Sequence, residues 1–473
     1  MKLKDLILND SIFSETEITG ITCDSRNVKP GFAFVCINGS LSDGHNFAQS
    51  ANEKGAAVII AERDLGLENQ IVVEDTHAAY ADMCAKWFGN PADKLKLIGV
   101  TGTNGKTSVT YMLKKILEAL GHKVGLIGTI QNMICDEVIA TQNTTPNAYD
   151  LNSLFSLMVA KGCTYAIMEV SSHALDQCRV YNLDFEVAMF TNLTQDHLDY
   201  HITMENYLNA KKKLFKMCKI ALINSDDEYA TKLMEGLECK VVTYSAGNDS
   251  TYSAKAIKYR PECVDYEFVS DVDINHVKVY TGGKFTVYNS LCALACVVEL
   301  GYPIKDAALA LRELKGVKGR AEVVPCDKGF TIIIDYAHTP DGLKNILTTF
   351  RECEKNRLTV LFGCGGDRDK TKRPIMGSVA SRYADNIIVT SDNPRSEEPS
   401  EIIKDILVGL DGTHRPVKVI ENRIEAIKYA VATAQKNDII VLAGKGHETY
   451  QILKEGTIHL DEREVVAEAL AEI

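Results

Sequence analysis

Short apolar runs alternate with amphipathic, helix-like stretches along almost the whole chain, and turn-forming residues separate them. Strand-like runs occupy residues 32–37, 57–61 and 71–74, and the cluster Asn90, Pro91, Ala92, Asp93 reads as a turn that ends this first region. A strand at 95–100 follows, then a glycine-rich turn and a helix-like run over 106–120. Further β-type runs at 165–170, 187–191 and 220–224 have helical patterns between them. A second boundary falls near Gly316 to Arg320, beyond which the alternation restarts with buried-strand patterns at 331–335, 358–362, 386–390 and 438–443. Strands alternating with helices predict parallel α/β layers, because the helix is the usual crossover between parallel strands. No internal repeat or low-complexity stretch interrupts the pattern. The division is three α/β domains, over 1–90, 91–319 and 320–473.

Composition narrows the class. At about 150 residues per domain, 473 residues give the same count of roughly three. Lys and Arg number 52 against 64 Asp and Glu, a net charge of −12, which argues against unspecific nucleic-acid binding but leaves a local phosphate site open. No apolar run approaches the roughly 18 residues that span a bilayer, and the N-terminus lacks a signal-peptide pattern, so no membrane insertion is expected. The 14 cysteines include no CxxC pair, which speaks against zinc ribbons and thioredoxin-type sites and for reduced thiols in a cytoplasmic protein.

The candidate chemistry begins at Gly102, Thr103, Asn104, Gly105, Lys106, Thr107 and Ser108, between an apolar strand and a helix. Glycines allow a tight turn whose N–H groups point at phosphate oxygens, a lysine reaches the terminal phosphates, and a hydroxyl can ligate Mg²⁺. The first glycine of the usual phosphate-loop pattern is replaced by Val100. A ligand-free strand–helix turn is the bland alternative, and ATP or GTP binding the favoured one. Glu169 closes an apolar strand, where a carboxylate suits a metal ligand or a base, and equally a salt-bridged surface residue. The stretch from Thr191 to His201, with Asp196, His197 and Asp199, fits a metal and phosphate site or a helix-capping loop. Lys211, Lys212 and Lys213 read most simply as a solvated helix face.

Together these stretches resemble the Mur ligase family, ATP-dependent amide-forming enzymes of bacterial cell-wall synthesis, over nearly the whole chain. TCDSR at 22–26, TGTNGKT at 101–107, NTTP at 143–146, EVSSH at 169–173, NLTQDHLD at 192–199, YN at 288–289, GR at 319–320, DYAHTP at 335–340, GGDR at 365–368, DNPR at 392–395 and GKGHE at 444–448 carry the resemblance in order. Thr286 and Ser108 depart from residues common in relatives. The resemblance implies a small N-terminal domain binding the UDP-sugar substrate, a central phosphate-loop domain and a C-terminal Rossmann-like domain binding the amino acid. It implies UDP-substrate contacts at Ser25, Asn143, Thr144, Thr145, Ser171, Gln177 and Arg179, and nucleotide contacts at residues 102–108, Asn289, Arg320, Asp335 and His338. Catalytic roles fall to Lys106, Glu169, His197 and Lys211. Mg²⁺ would be held by Thr107, Glu169, His197 and Lys211, the last as a carbamate.

DNPR resembles the amino-acid motif of the family's diaminopimelate-adding branch, with Arg368, Asp392, Asn393, Pro394, Arg395, Gly444 and Glu448 as contacts. meso-Diaminopimelate differs from lysine by a distal carboxylate, for which a guanidinium fork is the natural partner. The implied reaction activates the D-Glu γ-carboxylate of UDP-N-acetylmuramoyl-L-Ala-D-Glu with ATP, and an amine of diaminopimelate displaces phosphate from the acyl phosphate. Two anions meet in the first step, and a unit charge pair at about 4 Å and an effective dielectric of about 20 is worth roughly 4 kcal/mol, so placed cations matter. His173, His201 and His447 stay unassigned, and His45 suits either a uridine pocket or a turn-stabilising role. A monomer is expected. Two competing readings are a sister ligase, either lysine-adding or folylpolyglutamate-type, and a nucleotide-dependent regulatory protein. The regulatory reading has no use for DNPR or Glu448.

Overall fold

The computed structural model describes residues 1–7, 13–39, 42–141, 143–353 and 356–473. The chain forms two compact units, Met1–Val242 and Thr243–Ile473.

In the first unit, four parallel strands, Gly20–Thr22, Phe32–Val35, Val58–Ala61 and Gln70–Val72, lie in chain order. Helix Thr76–Trp87, capped by the Asp75 carboxylate on two backbone N–H groups, brings Tyr80, Met83 and Cys84 into the core formed by Ile21, Val35 and Ile60. A second sheet runs Cys218–Asn224, Phe185–Phe190, Lys96–Thr101, Tyr165–Glu169, Val124–Ile127, then the short antiparallel strands Asn132–Ile134 and Glu137–Ile139. Its central strands are buried on both faces, which is why they read as unbroken apolar runs. Helix Lys106–Ala119 follows the central strand and buries Val109, Met112, Leu113, Ile116 and Leu117, spaced three and four apart. Phe190 pairs with Thr101, and Val100 with Glu169. The carboxyl ends of three neighbouring strands therefore open side by side, where parallel sheets collect their ligands.

The second unit contains the antiparallel strands Tyr252–Tyr259, Val264–Val269 and Ile274–Val279. The sequence pattern had pointed to parallel layers only. Here residues alternate between buried and exposed, a half-solvated antiparallel signature that a search for continuous apolar runs passes over. A six-stranded sheet follows in the order Glu322–Val324, Thr331–Asp335, Ile439–Ala443, Leu358–Phe362, Asn386–Val389, Val417–Val419, parallel except for its first pair. Helices Pro340–Arg351, Lys372–Tyr383 and Pro399–Val408 pack one face, and Arg423–Ala432 with Glu462–Ala471 the other. Among the described residues no helix is long and apolar enough to cross a membrane. All 14 cysteines are free thiols.

Candidate active site

The loop after strand Lys96–Thr101 needs its glycines. Gly102 has φ +146°, and a Cβ there would lie 1.9 Å from Thr191 Oγ1. Gly105 has φ +89° at the start of the helix. The loop is pinned to the neighbouring strand's exit: Asn104 N donates to Asn192 Oδ1 (2.9 Å), Thr191 Oγ1 to Asn104 O (2.6 Å), and Thr194 N to Thr103 Oγ1 (3.0 Å). Lys106 folds back so that Nζ donates to Gly102 O and Thr103 O, both at 2.9 Å. The terminal cation thus sits over the loop, at a helix N-terminus carrying about half a positive charge.

Glu169 is buried and, among the described residues, has no ion-pair partner, which removes the surface salt-bridge reading. Its carboxylate accepts from Thr107 Oγ1 (3.0 Å), Thr129 Oγ1 (2.9 Å) and Thr129 N (2.9 Å). Thr129 in turn bonds Thr144 (3.0 Å), and the Glu169 carbonyl accepts from Thr145 Oγ1 (2.8 Å). Among the described residues no group of three or more His, Cys, Asp or Glu converges on a metal position. A hydroxyl and a carboxylate at Thr107 and Glu169 still suit Mg²⁺, which takes few protein ligands and fills its shell with water and phosphate oxygens.

Helix Met204–Phe215, capped by Thr203, puts Tyr207 and Lys211 on one buried face. Lys211 is therefore not part of a solvated lysine run. Its Nζ donates to Gly102 O (3.0 Å) and lies 4.5 Å from the Tyr207 ring centre, while the Tyr207 hydroxyl is 3.3 Å from Thr103 Oγ1. Burial first, then the Lys106 charge, pull the Lys211 ammonium well below the usual lysine range, against a weaker opposing pull from Asp196. His197, left-handed at φ +53°, caps the short helix Leu198–His201, so the capping reading of this loop holds in part. Burial, with Lys106 and Lys211 nearby, lowers His197. His173, 4.9 Å from the His197 ring, is pushed down to about 4 by burial and by His197 and His201. His201 bonds Ser172 Oγ (2.9 Å) and stacks on Tyr207.

Beside this cluster a pocket of about 180 Å³ is lined by Cys23, Tyr80, Asn143, Asn147, Gln177 and Arg179, among others. Arg179 donates to Gln177 Oε1 (2.6 Å) and to the Thr145 carbonyl (2.9 Å), and Thr145 Oγ1 accepts from Ser171 N (3.0 Å). Five of the seven residues assigned to the UDP substrate thus form one connected patch. Thr144 joins through Thr129, and Ser25 sits apart in the first sheet's loop, its carbonyl held by Lys54 (2.6 Å). Buried His45 takes its Asp43 partner at 2.6 Å and accepts from Glu62 N at 3.0 Å, which is the turn-stabilising role.

In the second unit four adjacent strands deliver their carboxyl ends to one edge, carrying Asp335 to His338, Gly444 to Glu448, Gly363 to Arg368 and Asp392 to Arg395. Arg395 has φ +54°, a strained conformation for a residue with a side chain. Its Nη1 donates to Gly366 O (2.9 Å) and Asn393 O (3.3 Å). A Cβ at Gly366 would lie 1.9 Å from Pro394 O, so the GGDR loop must be bare there. Arg368 reaches the Asp367 carbonyl (3.1 Å). Asn393 Nδ2 donates to Glu448 Oε2 (3.0 Å), while Asp392 Oδ2 is buried and, among the described residues, has no hydrogen-bond partner. Asp335 accepts from Ala321 N (2.7 Å) and Ala337 N (2.8 Å), the Arg320 guanidinium lies 4.8 Å from the Tyr336 ring centre, His338 bonds the Tyr336 carbonyl (2.8 Å), and Asn289 is buried on helix Lys284–Glu299.

Several participants had no sequence signal. Thr129 and Tyr207 are ordinary residues until the fold brings them to Glu169 and Lys211. Beneath DNPR, the fully buried pair Arg423–Glu462 (2.8 Å) ties the carbonyls of Ser391 and Ala443 together. Lys445, inside GKGHE, is buried among these groups and has no role implied by the motif.

Family models match three successive stretches: the Mur ligase family catalytic domain at 17–87, the Mur ligase middle domain at 100–297 and the Mur ligase glutamate ligase domain at 319–446. A UDP-N-acetylmuramoyl-L-alanyl-D-glutamate–2,6-diaminopimelate ligase of Caldanaerobacter subterraneus is 49% identical over 460 residues, covering 96% of this chain and 95% of the relative. One from Clostridium acetobutylicum is 48% identical over 462 residues, covering 97% and 95%. A solved structure of a ligase of that name superposes with a TM-score of 0.75 at 32% identity, covering 100% of this chain and 99% of the other.

Proposed function

The chain belongs to the Mur ligase family, with its three-domain α/β fold and ATP-dependent amide-forming chemistry, and from that premise we propose that it adds meso-diaminopimelate to the D-Glu γ-carboxylate of UDP-N-acetylmuramoyl-L-Ala-D-Glu. The observation that carries the specificity is the meeting of Arg395 and Glu448 on Asn393: one bonds its carbonyl, the other its side-chain amide. A guanidinium and a carboxylate held by one residue suit a carbon bearing both a carboxylate and an ammonium. Lysine, lacking the carboxylate, would bring the Arg395 guanidinium no anionic partner of its own. We assign the domains to residues 1–90, 91–319 and 320–473.

The acceptor carboxylate attacks the γ-phosphorus, and the bond to the β-phosphate oxygen breaks, releasing ADP. The amine of diaminopimelate then attacks the acyl carbon, loses a proton, and expels inorganic phosphate. Backbone N–H groups of residues 102–107 and the Lys106 ammonium favour the phosphate charge. Gln177, Arg179, Asn143, Thr144, Thr145, Ser171 and Ser25 would hold the UDP substrate; Asn289, Arg320, Asp335 and His338 are the nucleotide contacts assigned to the second unit. Thr107, Glu169, His197 and Lys211 would hold Mg²⁺, which when bound neutralises phosphate charge. Lys211 joins that set by carbamylation: its amine nitrogen bonds the carbon of CO₂ and loses a proton, giving an anion. That step needs a neutral amine, and the buried setting beside Lys106 favours one.

An amino-acid panel with the UDP-dipeptide and ATP tests the reading. ADP release should require both the dipeptide and an amino acid, with product from meso-diaminopimelate and little from L-lysine. Product from lysine alone overturns the specificity. ATP hydrolysis indifferent to both substrates overturns the ligase.

A further inference from the structure

The groups assigned to the distal end of the amino acid are organised by a buried cation of the second unit. Lys445 is fully buried. Its Nζ donates to Asn393 Oδ1 (2.8 Å) and Glu448 Oε2 (2.7 Å), and lies 5.2 Å from the centre of the Tyr450 ring. Ile452 N also donates to Asn393 Oδ1 (2.9 Å). With two donors on that oxygen, the Asn393 amide has one orientation, and its NH₂ is turned to Glu448 Oε2 (3.0 Å). One carboxylate oxygen of Glu448 is therefore filled by Lys445 and Asn393. Among the described residues Oε1 has no such partner. The Lys445–Glu448 pair is also neutral as a whole, so Glu448 adds no net negative charge to offset Arg395.

We propose that Lys445 is the positioning residue that sets selectivity for an amino acid with a zwitterionic far end over one with a bare ammonium, by fixing Asn393 and balancing Glu448. The proposal rests on the diaminopimelate reading above. Without the Lys445 charge, Glu448 would stand as an excess carboxylate, which favours a plain ammonium, and Asn393 Oδ1 would be held by Ile452 N alone.

The test compares the full-length wild type with Lys445→Met, a side chain of similar length without charge. KM for meso-diaminopimelate should rise by roughly tenfold or more, the scale of a lost charge-assisted hydrogen bond. The ratio of kcat/KM for diaminopimelate over L-lysine should fall by a similar factor, with KM for ATP and the UDP-dipeptide within about twofold of wild type. Lys445→Arg should keep most of the discrimination. If Lys445→Met does not give folded protein by circular dichroism, Lys445→Gln makes the same comparison. An unchanged ratio, or equal losses for both amino acids and ATP, overturns the proposal. A wild type that does not use diaminopimelate fails the functional reading instead, so the two failures are distinct.

Discussion

At the scale of single residues, burial and neighbouring charge do most of the tuning. His173 sits among His197, His201 and Arg179 and is held at about 4, and burial with Arg320 beside it holds His447 at about 4 as well. Both are well below the usual histidine value of roughly 6.5. The unfolded chain therefore binds more protons than the folded one between those values, and stability rises with pH through that window. The stabilising difference is complete above about 6.5 and is lost as the solution is acidified toward 4. Thermal unfolding should accordingly move to lower temperature between pH 7 and pH 5, and His173→Gln should flatten that dependence. A variant whose melting temperature falls with acid as steeply as the wild type would show that His173 has no part in it. Neither histidine's state was legible in the sequence, because the groups that set it come from elsewhere in the chain: for His173, from Leu198–His201 and its cap His197, and for His447, from the loop holding Arg320.

At the scale of elements, legibility followed burial geometry. Strands covered on both faces, such as Lys96–Thr101, Tyr165–Glu169 and Ile439–Ala443, were readable as apolar runs to within a residue or two. The antiparallel strands between Tyr252 and Val279 were not, because half their positions face solvent and break the run. The phosphate loop was readable because its constraint is local: glycines at positive φ between a strand and a helix. Gly102→Ala tests that constraint, since the new Cβ would collide with Thr191 Oγ1, which itself holds Asn104. Activity should fall by at least about tenfold with a raised KM for ATP, because displaced loop N–H groups no longer face the phosphates. Gly66→Ala is the control: its φ of +69° carries the same kind of strain, but nothing lies within 4 Å. It should cost roughly 1–2 kcal/mol of stability and leave KM for ATP unchanged. Equal effects on ATP use would mean that Gly102 acts through stability alone. Lys445, Tyr207 and the Arg423–Glu462 pair were out of reach of such local arguments, since each draws its meaning from a strand or helix distant in sequence.

At the scale of the whole molecule, the net charge of −12 argues against anionic ligands only as a sum. Lys106 and Arg179 in the first unit, and Arg320 and Arg395 in the second, are placed cations, and on the proposed reading their local fields outweigh the overall sum. Because the residues proposed for the UDP substrate lie in Met1–Val242 and the DNPR edge in Thr243–Ile473, the two ligands should stabilise different parts of the chain. Trp87 is the single tryptophan and lies in the first unit, so its fluorescence reports the unfolding of that unit alone. A ligand at 100 times its dissociation constant stabilises its site by about 2.7 kcal/mol, which for a unit of this size is a shift on the order of 5–10 °C. The UDP-dipeptide should therefore raise the Trp87 transition. meso-Diaminopimelate should leave that transition in place and raise the calorimetric transition to which Trp87 is blind. If diaminopimelate alone moved the Trp87 signal as far as the UDP-dipeptide does, the assignment of the two substrates to separate units would be wrong, and with it the role given to Arg395 and Glu448.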